Sequence, residues 1–338
     1  MKNYRRRQRM NFWDGPSNIK TRVLWLDYFA LYFYKDLRYK ILENAAARYF
    51  INTFKLSGPE SISFSEKESG LQLGRRITIA VSPSESKKYF IKTQRYGALD
   101  DYSTRSQLKE LDPKEAFIYY LLYQLNIGPK VHFFWEDKIS FYIATEDLNE
   151  RGSFNEYSKL YEKFLDPAKT ALEDIPQEYF HICDELLKLD LISRILCLTD
   201  TTINKENFGF LEINGEVSLF LIDFYVKKDS FYMDERVFLD FLKPFCPSSA
   251  DPTSRFALAK RSQIDRAKVA ANFLNSVNIL QAIETSWENV SYIFRALDMN
   301  TNDLSNYIVG IKMNFQYIKE GLIMMLESMN KFIFDKED

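Results

Sequence analysis

The chain has 338 residues, of which 46% are hydrophobic and 16% aromatic, so it is long and apolar enough to form a large folded core. A net charge of −2 gives no general attraction for nucleic acid, and we predict no specific nucleic-acid partner. Three widely spaced cysteines and two histidines argue against a disulfide framework and against a zinc site. No cleavable signal peptide or transmembrane segment is recognisable, which predicts a cytoplasmic protein or one delivered into a host cell by a specialised secretion system.

The first predicted element is helical. Apolar residues recur at helical spacing through residues 20–56, without internal proline or glycine, until residues 57–59 (Ser-Gly-Pro) end the pattern. Ahead of this helix, residues 2–9 hold one lysine and four arginines. Such a basic cluster is most often a disordered arm, but it would also attract an anionic membrane or a phosphate ligand.

Strands follow this helix. Three strand-like runs between residues 61 and 94, SISF, RRITIAVS and KKYFIKTQ, predict a small antiparallel sheet. The segment DPKEAFIYYLLYQLNIG then predicts a helix with Asp112 as N-cap, Pro113 at its first position and a stop between Asn126 and Gly128. This helix is apolar on nearly all sides. Two further strand-like runs, VHFFW and ISFYIAT, come next.

Beyond Asp147 the pattern is mainly helical, apart from one hairpin. The hairpin is NKENFGFLEINGEVSLFLIDFYV, residues 204–226, in which Asn214-Gly215 predicts a two-residue turn. After Pro252 the chain is again predicted to be helical. The large apolar side chains of this last region and of the N-terminal helical region are too numerous for free-standing helices, so we expect both regions to pack against the protein or a partner.

The hairpin turn sets the register of its two strands. If Ile213 pairs with Glu216, Asn207 comes opposite Ile222 and next to Asp223 at the open end. In an ideal ladder the side chains of Asn207 and Asp223 would then face opposite sides of the sheet. A metal site that uses both residues therefore requires the chain to leave regular pairing at this end.

The order of these elements predicts an α+β protein with a bilobal protein-kinase-like fold. Strands with one embedded helix come first, and helices around one hairpin follow. We predict an N-terminal helical extension at residues 1–57, a nucleotide-binding N-lobe at 58–149 and a catalytic C-lobe at 150–252. Residues 253–338 are predicted to add further helices to the C-lobe.

Two charged residues have the order expected for the nucleotide-binding pair of a kinase. Lys92 lies on the third predicted strand and resembles the phosphate-binding lysine, and Glu115 begins the next helix and resembles its ion-pair partner. Each has a simpler interpretation. Lys92 could be a solvated lysine on an edge strand, and Glu115 could be a capping-box glutamate, three residues after Asp112.

Two further segments are candidates for nucleotide binding. Gly70 and Gly74, between the first two strands, form part of a loop whose backbone amides could cover nucleotide phosphates, although two glycines usually mark only a turn. Residues 144–148 (ATEDL), which include Glu146, could form the hinge that receives an adenine ring. An ordinary connection between a strand and a helix is the alternative for this segment.

Asn207 and Asp223 are the candidate metal ligands. Amide and carboxylate oxygens are the hard donors that Mg²⁺ prefers. The alternative is an Asx-turn asparagine and a capping or turn aspartate, which are common roles for these residue types. The apolar strand that leads into Asp223 makes an ordinary turn acid less plausible, because the charge leaves a buried strand and needs a partner.

The motif NFGFL, followed by a short hairpin and IDF, resembles the atypical kinases of the HipA-like group. It is also similar to phosphoinositide kinases, whose catalytic loops read roughly Asp-Arg-His-x-x-Asn before a hairpin and Ile-Asp-Phe-Gly. The resemblance covers about residues 60–240. It implies ATP and magnesium as cofactors, with Asn207 and Asp223 as metal ligands and Lys92 and Glu115 as the nucleotide-binding pair.

The chain departs from the family pattern at the catalytic loop. The family places its catalytic aspartate five residues before the asparagine, where this chain has Thr202, while Asp200 lies seven residues before. Tyr225 also replaces the glycine after Asp-Phe. Either the loop carries an insertion and Asp200 still orients the acceptor, or that function is lost and the chain binds nucleotide with weak or altered catalysis.

The expected function is transfer of a phosphoryl group from Mg-ATP, bound between two lobes, to a protein hydroxyl, as in a Ser/Thr kinase. The protein acceptor is unidentified. A lipid or small-molecule kinase, a nucleotide-binding pseudokinase scaffold and a nucleotidyltransferase remain alternatives.

Overall fold

The structure is a computed structural model. It describes residues 35–66, 74–93, 112–136, 141–160, 180–199, 201, 204, 206–226 and 263–334. These residues form both helices and strands, which confirms the predicted α+β class.

The described helices and strands are numbered here in chain order. The helices are α1 (Lys35–Phe54), α2 (Pro113–Gln124), α3 (Tyr157–Leu160), α4 (Phe180–Ile195), α5 (Gln263–Ser276), α6 (Ile279–Ala296) and α7 (Asn302–Phe334). The strands are β1 (Ile62–Glu66), β2 (Gly74–Ser82), β3 (Glu85–Thr93), β4 (Val131–Trp135), β5 (Phe141–Glu146), β6 (Ser153–Glu156), β7 (Leu198–Thr199), β8 (Phe208–Ile213), β9 (Glu216–Leu221) and β10 (Tyr225–Val226). Short 3₁₀ turns lie at Pro59–Ser61 and Leu148–Glu150.

The strands form three sheets. Their orders are β1-β2-β3-β5-β4, β6-β8-β9 and the two-stranded pair β7-β10. The five strands of the first sheet are those that the sequence predicts. The sequence did not predict β6, β7 and β10, because a four-residue strand with alternating exposure and two-residue strands leave little periodic signal.

The chain divides into two compact units. The first comprises Met1–Ser86, Ile91–Glu110 and Phe133–Tyr142, and the second comprises Lys87–Phe90, Leu111–His132 and Ile143–Asp338. The domain boundaries given above remain a prediction.

Helix α1 packs in the first unit through aromatic side chains. The rings of Tyr49 and Phe50 lie 5.1 and 5.9 Å from the ring of Phe134. An ion pair joins Arg75 to Glu43 at 3.0 Å. The predicted N-terminal helix and its packing are therefore confirmed over Lys35–Phe54, while its first half lies outside the described residues.

Helix α2 begins as the sequence predicts. The Asp112 side chain accepts a hydrogen bond from the Lys114 amide at 3.0 Å, and Pro113 occupies the first turn. Asn126, at φ 57°, turns the chain out of the helix. Most of the helix is buried, in keeping with its apolar composition.

The second unit is built around the hairpin. Helix α4 packs against β9, where the buried Glu185 side chain accepts a hydrogen bond from the Leu219 amide at 3.0 Å. Helices α5 to α7 confirm the predicted helical C-terminal region, in which Phe315, Ile318 and Leu322 are buried. None of the helices in the described ranges is long and apolar enough to cross a membrane.

Candidate functional site

The hairpin that the sequence predicts is present with the predicted register. Ile213 pairs with Glu216, and the ladder runs to Phe208 opposite Leu221. Asn214 and Gly215 form the turn with φ values of 54° and 84°, which fit the left-handed conformation required at both central positions of a type I′ turn.

The open end of the hairpin departs from regular pairing. The amides of Ile222 and Asp223 both donate to the carbonyl oxygen of Asn207, at 2.8 and 3.1 Å. Two successive donors on one acceptor form the hydrogen-bond pattern of a β-bulge, in which two residues oppose one. Asp223 is thus brought opposite Asn207, and the departure that a shared site requires is confirmed.

Asn207 is also held by hydrogen bonds to a residue that precedes it in the chain. Its amide donates to the Asn204 carbonyl oxygen at 3.1 Å, and its Oδ1 accepts from the Asn204 side-chain nitrogen at 3.0 Å. Asn204 Oδ1 accepts from the Glu206 amide at 3.2 Å, as in an Asx-turn. Asn207 is buried, and its orientation is set by these contacts.

Tyr119 of helix α2 contacts the side chain of Asp223. The Tyr119 hydroxyl donates to Asp223 Oδ1 at 3.4 Å, and the Tyr119 ring lies 4.6 Å from the ring of Phe224. Burial first, and then the carboxylates of Asp223 and Glu115, hold the pKa of Tyr119 well above its usual range. Tyr119 and Asp223 are therefore in contact, and the Glu115 carboxylate lies close enough to Tyr119 to raise its pKa.

Strand pairing brackets the loop that precedes Asn207. Thr199 pairs with Tyr225 and Leu198 pairs with Val226, so β7 and β10 bring the start of the loop alongside the chain that follows Asp223. The buried hydroxyls of Ser193 and Thr201 lie 2.9 Å apart, which ties the loop to α4.

The sequence also singled out Lys92, two glycines and Asp200 as candidate nucleotide-binding or catalytic residues. Lys92 lies on β3, which is the middle strand of its sheet, and is only 8% exposed, so it is not a solvated edge lysine. Gly74 is the first residue of β2. Gly70 and Asp200, and also Thr202, lie outside the described residues.

The segment proposed as a hinge already uses two of its amide donors. The Glu146 amide donates to the Lys130 carbonyl oxygen and the Asp147 amide to the Lys88 carbonyl oxygen, each at 2.9 Å. The Asp147 side chain caps the following 3₁₀ turn by accepting from the Asn149 amide at 3.1 Å. An adenine ring bound along residues 144–148 would therefore have to use other backbone groups of this segment.

Three residues of the site were not singled out from the sequence. Tyr119 stands one helical turn after Glu115, a spacing that places both on one helix face. Asn204 stands three residues before Asn207. At Gly209 an added Cβ would lie 2.4 Å from the Asn155 carbonyl oxygen of β6, which only a glycine avoids, but this strand contact is not readable from the sequence.

The donor set at the hairpin end fits a hard cation. A carboxylate and an amide oxygen, completed by phosphate oxygens and water, are the ligands that Mg²⁺ takes in nucleotide sites. Among the described residues no group of three or more His, Cys, Asp or Glu side chains is placed to hold a metal on its own. Asn207 and Asp223 supply one amide and one carboxylate oxygen of this kind.

A scan against protein-family models finds no match to this chain, and a search of curated proteins finds none either.

Proposed function

We propose that the chain is an ATP-dependent phosphotransferase with a bilobal kinase-like fold, acting on protein Ser or Thr hydroxyls. The observation that supports this most is the bulged end of the hairpin, where the amides of Ile222 and Asp223 share the Asn207 carbonyl oxygen at 2.8 and 3.1 Å. That arrangement places the backbone of Asp223 opposite Asn207, and both residue types carry the hard oxygen donors that Mg²⁺ prefers.

Each residue has a distinct role in this proposal. Asn207 and Asp223 hold magnesium, whose chemistry there is to neutralise charge on the phosphate oxygens during transfer. In this proposal Lys92 binds nucleotide phosphates, as its place on β3 and its resemblance to the phosphate-binding lysine of kinases suggest. Glu115 lies one helical turn before Tyr119 on α2 and has a supporting role in nucleotide binding. Asp200 orients the acceptor hydroxyl.

A nucleotide-binding pseudokinase is the second candidate. Thr202 stands where the family pattern has its aspartate, and Tyr225 stands where it has glycine. Tyr225 is 43% exposed on β10, so the position after Phe224 carries a large side chain at the surface of this site. Both departures favour a protein that binds Mg-ATP without rapid transfer.

Asp223→Ala tests the metal site. We expect this variant to lose Mg-dependent ATP binding and all transfer, because a carboxylate ligand has been removed. Glu216→Ala is the matched control, since it removes an exposed carboxylate from the same hairpin. ATP affinity in Mg²⁺ and in EDTA, measured by titration calorimetry, separates the two. Unchanged Mg-ATP affinity in Asp223→Ala would reject the kinase proposal.

Two further variants test the roles of Lys92 and Asp200, with ATP affinity measured by the same calorimetry and turnover measured by a phosphate-transfer assay. Lys92→Ala should weaken ATP binding while the protein remains folded. Asp200→Ala should still bind ATP but lower turnover by about 10²–10⁴-fold, the usual contribution of a general base. Wild-type protein that binds Mg-ATP but transfers phosphate to no protein, lipid or water acceptor would favour the pseudokinase.

A further inference from the structure

One oxygen of the Asp223 carboxylate receives two hydrogen bonds from the protein. Oδ1 accepts from the Phe224 amide at 3.0 Å and from the Tyr119 hydroxyl at 3.4 Å. The first bond is local, because an aspartate side chain readily bonds to the next backbone amide. The second joins residues 104 positions apart in the sequence, so it depends on the packing of α2 against the end of the hairpin.

Tyr119 also fixes the residue that follows Asp223. Its ring is tilted by 46° against the ring of Phe224, and its side chain is almost completely buried. One residue of α2 therefore contacts two successive residues after β9, through its hydroxyl on Asp223 and through its ring on Phe224. A side chain held in this way has few alternative rotamers, so its hydroxyl points consistently at Asp223.

We propose that Tyr119 is a positioning residue that orients Asp223 as a metal ligand, through the hydrogen bond from its hydroxyl to Asp223 Oδ1. This inference rests on the proposed function. Hydrogen bonds to a ligating carboxylate set its direction, and their loss typically lowers metal affinity about 10–100-fold. A tyrosine with only a structural role would also need a hydrogen-bond acceptor for its buried hydroxyl, but removing that hydroxyl would not change metal affinity.

The test compares Tyr119→Phe with Tyr120→Phe in the full-length chain. The first variant keeps the ring against Phe224 and loses only the hydroxyl. The second removes a hydroxyl from the next residue of the same helix, which is half-buried and contacts the Tyr123 ring at 5.9 Å. The measured quantity is the gain in ATP affinity on replacing EDTA with Mg²⁺, obtained by titration calorimetry.

We expect Tyr119→Phe to reduce this metal-dependent gain about tenfold and to leave ATP affinity in EDTA unchanged. Tyr120→Phe should change neither quantity. In the Asp223→Ala background, Tyr119→Phe should have no further effect, because the residue acts through Asp223. Melting temperatures without nucleotide show whether each variant is folded under the conditions of the titration.

The outcomes separate this inference from the proposed function. If wild type gains affinity with Mg²⁺, Asp223→Ala loses the gain and Tyr119→Phe keeps it, the positioning role is rejected and the proposed function stands. If Tyr119→Phe weakens ATP binding equally in EDTA and in Mg²⁺, the loss does not depend on the metal, and the positioning role is also rejected. If wild type shows no metal-dependent ATP binding, the proposed function and this inference fall together.

Discussion

At the scale of single residues, His132 on β4 makes the stability of the fold depend on pH. Its ring meets the ring of Tyr89 edge-on at 5.2 Å. Burial, with added repulsion from Lys130 and Lys87, lowers the pKa of His132 from 6.5 to about 4. The folded protein therefore keeps this imidazole neutral under conditions in which the unfolded chain would protonate it.

The expected consequence is a loss of stability in mild acid. As the pH falls from about 6.5 towards 4, the unfolded state binds a proton that the folded state does not, so the free energy of unfolding decreases, by up to about 3 kcal/mol from this group. His132→Phe keeps an aromatic ring against Tyr89 but cannot titrate. Urea unfolding at several pH values should show a shallower decrease for the variant than for wild type. An equal decrease in the free energy of unfolding of the two proteins between pH 6.5 and 4 would contradict this prediction.

At the scale of elements, two glycines of the hairpin serve different physical needs. Gly215 has a φ of 84°, and an added Cβ would meet no atom within 4 Å, so its requirement is conformational. Gly209 faces β6, where an added Cβ would lie 2.4 Å from the Asn155 carbonyl oxygen, so its requirement is steric. The first glycine sets the turn, and the second allows β6 to pair with β8 beside the candidate site.

We expect the same substitution to have unequal costs at these two positions. Gly215→Ala should lower the free energy of unfolding by about 1 kcal/mol, the cost of a left-handed backbone for alanine. Gly209→Ala should cost more, about 2–3 kcal/mol, because a backbone atom of the neighbouring strand must move. Gly215→Asn is the control for the turn, since asparagine tolerates this conformation. Equal losses for the two alanine variants, measured by urea unfolding, would disprove the steric requirement at Gly209.

At the scale of the whole molecule, the C-terminal helix α7 supports the chain that leads into the candidate site. The Tyr307 hydroxyl donates to the Leu196 carbonyl oxygen at 2.5 Å, and the Asn314 side-chain nitrogen donates to the Ile195 carbonyl oxygen at 3.1 Å. Both donors are buried and satisfy carbonyl groups at the end of α4, which a helix leaves without internal partners. Tyr307 and Asn314, more than a hundred positions later in the sequence, thus supply hydrogen bonds to the C-terminal end of α4, just before β7.

Two tyrosines of α7 provide a matched test of this support. Tyr307→Phe should lower the free energy of unfolding by about 1–3 kcal/mol, because it leaves a buried carbonyl oxygen without its donor. Tyr317→Phe should change it by less than about 0.5 kcal/mol, since Tyr317 is 52% exposed on the same helix. Chemical unfolding of both variants measures the difference. A Tyr307→Phe variant as stable as Tyr317→Phe would show that α7 does not support the end of α4 in this way.

The sequence alone determined the features that arise from neighbouring residues. The cap at Asp112, the turn at Asn214-Gly215 and the hairpin register depend on local backbone geometry and on alternation along the chain, and all three are present as predicted. Residue type and order also identified Asn207 and Asp223, whose roles in the proposed function remain predictions.

The contacts that hold these local features together are visible only in the tertiary structure. The bulge opposite Asn207, the bond from Tyr119 to Asp223 and the support of α4 by Tyr307 join segments that are distant in the sequence. Such contacts depend on which helix face packs against which strand end, and a buried tyrosine on an apolar helix gives no local sign of its acceptor. The hydroxyl of Tyr119 acquires its partner only when α2 and the hairpin pack together, because that packing buries the tyrosine and brings it against Asp223.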